Sequence, residues 1–101
     1  MHVFKIKKMF KEEKCVGGKE SGRFLRNEME IALAKGPVVI DFEDVQLITQ
    51  SFSDEFLGPI LADAGQEVLR NIKFKNCSQD IQTIILSTAT RFLSDAHSVS
   101  Y

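Results

Sequence analysis

Val38-Val39-Ile40-Asp41-Phe42 is a short run of β-branched and aromatic residues that is apolar on both alternating sets of positions. A strand with this pattern needs both of its faces covered, which is the condition inside a parallel sheet flanked by helices. Gly36-Pro37 isolates it from what precedes, and Glu43-Asp44 turns the chain after it. The segment Ser51-Phe52-Ser53-Asp54-Glu55-Phe56-Leu57-Gly58 then reads as a helix, opened by Ser51 or Ser53, with two acids in its first turn. Strand-to-helix junctions of this kind sit at the edge where open α/β sheets meet ligands and partners.

The rest of the chain alternates in the same manner. Residues 2–9 put Phe4 and Ile6 against Val3, Lys5 and Lys7, the period of a half-exposed edge strand. A charged stretch ending in Gly17-Gly18 marks a turn, with Cys15-Val16 as a short second strand. Ser21 is the expected cap of a helix to about Lys35, with Leu25, Met29, Ala32 and Leu33 as its apolar stripe and Glu28 and Glu30 outside. The second long helix spans 51–64, with Phe52, Phe56, Ile60 and Ala64 four residues apart, Pro59 near its middle and Gly65 at its end. Residues 66–71 read as a connector with room for one helical turn. A half-wet strand follows at 72–76, and Ser78 caps a last helix to about Ser94 that buries Ile81, Ile84, Ile85, Thr88 and Phe92. Residues 94–101 read as a frayed tail.

The order is β(β)-α-β-α-β-α, an α/β single domain over 1–101. It implies a mixed, mostly parallel sheet of about four strands around 38–42 with three main helices, the early strand pair adding an antiparallel edge.

Composition removes several function classes. In 101 residues the formal net charge is −1, so no global field draws the chain to nucleic acid or acidic lipid. The local exception is the lysine-rich first strand, where Phe4 and Phe10 could stack bases. Lysines that shield a sheet edge from pairing are the simpler reading, which makes nucleic acid an unexpected partner. No apolar stretch approaches 18 residues, and the N-terminus lacks the apolar core and small-residue site of a signal peptide, so neither a membrane span nor a leader is expected. Cys15 and Cys77 stand alone and are expected as reduced thiols, in keeping with the cytoplasm.

The element order and two motifs carry a resemblance. Ser21-Gly22-x-x-Leu25-Arg26 opens the first helix. Val39-Ile40-Asp41-Phe42-x-x-Val45 is followed by Ser51-Phe52-x-Asp54-Glu55-x-x-Gly58. Together they resemble the STAS fold of anti-sigma factor antagonists and sulfate-transporter tails. More closely, they resemble a STAS-like family of small bacterial proteins of unassigned function. In antagonists of this fold, a serine at the start of the helix after the central strand is phosphorylated by a partner ATPase kinase. Here Thr49-Gln50-Ser51 stands where those proteins carry Asp-Ser-Ser, so the usual acceptor position holds Gln50 and Ser51 is the remaining candidate phosphoacceptor. The resemblance implies a protein partner, a GHKL-type ATPase or kinase.

The residues allow few chemistries. Gln50, Ser51, Ser53, Asp54 and Glu55 form the candidate partner-binding surface within a docking junction at 44–58. The competing reading of Ser51 and Ser53 is a plain helix cap. Ser21, Arg23 and Arg26 are candidates for an anion or partner site. The alternative function is therefore a small anion or nucleotide held by helix N-terminal amides and Arg23 or Arg26. Asp41 is either a ligand-facing acid at the sheet edge or a buried acid satisfied by the next turn. Gly17-Gly18-Lys19 lacks the spacing of a phosphate-binding loop. His2 and His97 have no ligand at metal spacing, no base stands near the serines or cysteines, and the adjacent Asp54 and Glu55 diverge on a helix. The expectation is a non-catalytic module without cofactor or metal, and a homodimer through the first strand is a further option.

Overall fold

The computed structural model describes the backbone of residues 1–98 and the side chains of residues 1–93. The elements in chain order are β1 (His2–Lys5), α1 (Ile6–Met9), β2 (Cys15–Val16), α2 (Lys19–Leu33), β3 (Val38–Asp41) and β4 (Leu47–Ile48). They continue with α3 (Gln50–Ala64), a 3-10 turn (Gln66–Asn71), β5 (Ile72–Lys75) and α4 (Gln79–Ser98). The expected tail at 94–101 falls, apart from the α4 backbone to Ser98, outside the described residues.

Every strand pairing is parallel. The larger sheet has the order β1-β3-β5, with Phe4 opposite Ile40 and Ile40 opposite Phe74. All four residues of β3 are buried, as the apolar run requires of a central strand covered on both sides. The smaller sheet joins β2 to β4, setting Cys15 against Leu47 and Val16 against Ile48.

The first fifteen residues differ from the sequence expectation. β1 stops at Lys5 because Ile6 turns into the core, where it is fully buried, and α1 carries the chain away from the sheet. Val16 consequently pairs with Ile48 rather than with β1, and no antiparallel edge forms among the described strands. The alternation of residues 2–5 is a true strand signal, but burial of one isoleucine decides where it ends.

The helices follow their stripes. Leu25 and Met29 of α2, Phe52, Phe56, Leu57 and Leu61 of α3, and Ile81 of α4 are fully buried. Each such side chain contributes roughly 1.5–3 kcal/mol of transfer free energy. α2 packs on α3, and α3 on α4. The first contact is close at Gly22, where a Cβ would lie 2.6 Å from the Phe52 carbonyl oxygen. Gly65, at φ 73°, ends α3 in a left-handed conformation open to glycine. Ala64 is exposed, so the four-residue stripe of α3 stops at Ile60. Ser78 caps α4 as expected, its Oγ accepting from the Ile81 N–H at 3.1 Å.

Two expected caps are displaced. α2 begins at Lys19 behind Gly18, whose φ of 95° lets the chain turn early, so Ser21 lies inside the first turn and is not a cap. α3 begins behind Thr49, not Ser51 or Ser53, and Asp54 and Glu55 fall past its first turn.

Candidate functional site

The junction between β3 and α3 is built at the carboxyl edge of the large sheet. The chain turns at Phe42, whose N–H donates to Lys75 O at 2.9 Å and whose carbonyl accepts from Val45 N–H at 2.9 Å. Asp44 takes φ 63° in that turn, a conformation acidic and amide side chains tolerate better than most. Lys14 O then receives the N–H groups of Gln46 and Leu47 at 2.8 and 3.2 Å, and Val16 O receives that of Thr49 at 3.0 Å. The junction is thus stitched from beneath by residues 14–16.

Thr49 fixes the start of α3. Its Oγ1 accepts from Phe52 N–H at 3.2 Å and from Gly18 N–H at 3.3 Å, and lies 3.2 Å from Ser51 Oγ. Sequence reasoning missed this cap because two serines, the better capping residues, follow within four positions.

Asp41 ends β3 and is almost wholly buried. Its Oδ1 accepts from Asn76 Nδ2 at 2.8 Å and Glu43 N–H at 2.9 Å, and its Oδ2 from Lys5 Nζ at 3.1 Å. Burial pushes this carboxyl up, but the Asn76 amide, the Glu43 N–H and the Lys5 ammonium outweigh it and hold it below the ordinary aspartate value. Asp41 stands at the carboxyl edge of the sheet, and its oxygens are satisfied within the fold, as the buried-acid reading expected. Beside it lies a cavity of about 130 Å³ lined by Lys5, Lys7, Lys8, Glu12, Asp41, Glu43 and Asp44. Three ammoniums face four carboxylates there, so the cavity carries no surplus positive charge for an anion.

The candidate partner residues separate into two groups. Ser53 is fully buried, its hydroxyl 2.7 Å from Thr88 Oγ1, and it does not belong to an exposed surface. It stands four residues before Leu57, on the same buried stripe, and that spacing was the readable signal. Gln50, Ser51, Asp54 and Glu55 are half-buried. Gln50 Nε2 donates to Asp54 Oδ1 at 2.9 Å and Thr88 Oγ1 at 3.0 Å. Asp54 Oδ1 also accepts from the Thr88 hydroxyl at 2.8 Å and from Arg91. Burial raises the Asp54 carboxyl, and Arg91, Gln50 and Thr88 together overcome that and lower it. Thr88 and Arg91 thereby pin α4 to α3, and neither role is marked by a local motif.

The three residues proposed for an anion or partner site do not act as one group. Arg26 Nη1 donates to Glu55 O at 2.6 Å and Glu55 Oε2 at 3.2 Å, tying α2 to α3. Arg23 is exposed. Ser21 borders a separate groove with Phe10, Cys15 and Gly17. Among the described residues, no three His, Cys, Asp or Glu side chains gather as a metal site, and no helix is long and apolar enough to cross a membrane.

A helix-flanked parallel sheet whose central strand hands over to a capped helix is an α/β fold of the STAS-like type. Residues 21–82 match the profile of a family described as a STAS-like domain of unknown function (DUF4325), and the chain belongs to that family. No curated protein and no solved structure matches the chain.

Proposed function

We propose that this protein is a non-catalytic interaction module that docks a regulatory protein in the cytoplasm through the junction 44–58, using its early, exposed part. The observation that carries this reading is Leu47. A large aliphatic side chain stays 39% exposed there, on a segment hydrogen-bonded to residues 14–16, among the exposed Asp44 and Gln46 and the half-buried Gln50 and Ser51. An apolar anchor with a polar rim on a rigid support is the make-up of an interaction hot spot. Asp54 and Glu55 support the surface from within, since each is held by an arginine.

The partner that suits this reading is a GHKL-type ATPase or kinase. Ser51 is the hydroxyl such a partner would modify. A phosphate there would break the hydrogen bond to Thr49 and place about two negative charges beside the docking surface.

Capture from native lysate by the full chain, with quantitative mass spectrometry, tests the reading. A protein enriched by wild type should fall about tenfold with Leu47→Asp, the loss of about 1.4 kcal/mol of contact. It should fall similarly with Ser51→Glu and persist with Leu86→Asp, which alters an exposed residue of α4. Capture that ignores Leu47→Asp would place the docking surface elsewhere.

A further inference from the structure

β1 leaves one edge of the large sheet open, since its only partner among the described strands is β3. His2 donates its N–H inward, to Pro37 O at 3.3 Å. Backbone groups alternate along a strand, so Val3 directs its N–H and carbonyl outward, whereas the carbonyl of Lys5 opens α1. Natural edges are usually guarded by charge. The opposite edge, β5, follows that rule with the exposed Lys73 and Lys75. On β1 the guard is thinner: Lys7 and Lys8 belong to α1, and Lys5, its side chain half-exposed, has its ammonium held by Asp41 at 3.1 Å. Beside the exposed His2 and Lys5 the edge presents apolar side chains, Val3 at 47% exposure and Ile31 of α2 at 60%.

We infer that the β1 edge binds a second copy of this chain, forming a two-fold dimer with a continuous six-stranded sheet. The symmetry restricts the register. A two-fold axis normal to the sheet keeps each residue on its own face, so a residue can only oppose one of the same parity. The outward groups of Val3 select the register centred there. Val3 exchanges both backbone hydrogen bonds with Val3 of the second copy, Met1 faces Lys5, and His2 faces Phe4 on the α2 side.

The charges beside the strand are self-complementary in that arrangement. A groove of about 350 Å³ between β1 and α2 is lined by Met1, His2 and Phe4 on one side and by Glu28, Ile31 and Lys35 on the other. Glu28 lies three residues before Ile31 and Lys35 four residues after it. A two-fold passing near Ile31 therefore brings Glu28 of each copy to Lys35 of the other, with the isoleucines between them. An unrelated partner would have no reason to match this pairing. The charges and the strand register make the second copy the occupant.

Sedimentation velocity on the full chain, from about 1 μM to about 500 μM, spans the range of weak association and tests the inference. Wild type should show a concentration-dependent dimer. Val3→Pro removes only an outward N–H, which edge strands tolerate, and should raise the dissociation constant at least about tenfold. Glu28→Lys sets two lysines face to face and should weaken the dimer comparably, while the double variant Glu28→Lys/Lys35→Glu should restore it. Circular dichroism checks that each variant is folded, and the charge pair decides the matter if Val3→Pro is not. A chain that stays monomeric throughout overturns the inference, and so does a dimer indifferent to both Val3→Pro and Glu28→Lys. Leu47→Asp should leave dimerisation unchanged, so this surface and the docking junction stand or fall separately.

Discussion

Thr49 does for α3 what the neighbouring serines were expected to do. Its hydroxyl satisfies a first-turn amide of α3 and the Gly18 N–H together, so it joins the helix start to the β2–α2 turn. Ser51 contacts only Thr49 among the hydrogen bonds of this site. Thr49→Ala should therefore cost about 1 kcal/mol of folding stability, the usual worth of such a cap. Ser51→Ala should cost under about 0.5 kcal/mol, as for a half-exposed site without a structural duty. Urea unfolding midpoints of the two variants check the difference, and equal costs would mean the cap is shared. The contrast matters for function: a serine without a structural task can be modified or gripped without weakening the fold.

At the scale of elements, the α2–α3 contact is set by a missing side chain. Gly22 lies three residues before Leu25 and seven before Met29, on the buried stripe of α2, and lets the helix backbones approach. A methyl group there would meet the Phe52 carbonyl at 2.6 Å and Glu55 Cβ at 2.8 Å. A backbone carbonyl cannot step aside, so Gly22→Ala should destabilise by about 1–3 kcal/mol despite its better helix propensity. At Gly58 a methyl would meet the ring of Phe92 instead, a half-buried side chain that can swing, and Gly58→Ala should cost less. Thermal unfolding of both variants tests the order. The same contact holds Arg26 on Glu55 and so steadies the docking junction from behind.

For the molecule as a whole, two carboxylates couple the fold to pH. Asp41 links β1, β3 and the residue after β5, and Asp54 links α3 to α4. Both sit below their unfolded value of about 3.9. A lowered folded value means that their stabilisation is fully present above about pH 4 and is lost as pH falls through that folded value. Asp41→Asn should therefore lower stability at pH 7 by about 1.5–3 kcal/mol, the worth of hydrogen bonds to a charged group. The deficit should shrink as pH falls toward about 2 and the wild-type carboxyl is progressively protonated as well. Chemical denaturation at both pH values checks this, and a deficit that persists unchanged in acid would remove charge as the cause. At this scale the chain itself determined the α/β class, the central place of Val38–Asp41, the buried stripes of three helices and the Ser78 cap, because period and punctuation are local properties that burial then rewards. Only the tertiary structure decided that Ile6 ends the first strand, that Cys15-Val16 pairs with Leu47-Ile48, that Thr49 caps α3, and that Thr88, Arg91, Asn76 and Lys5 complete the polar clusters. Thr49, Ser51 and Ser53 share one short window, but Gly18 and Thr88, each more than 30 residues away, divide their roles, and the paired strands and polar clusters likewise join groups that no short window of sequence contains.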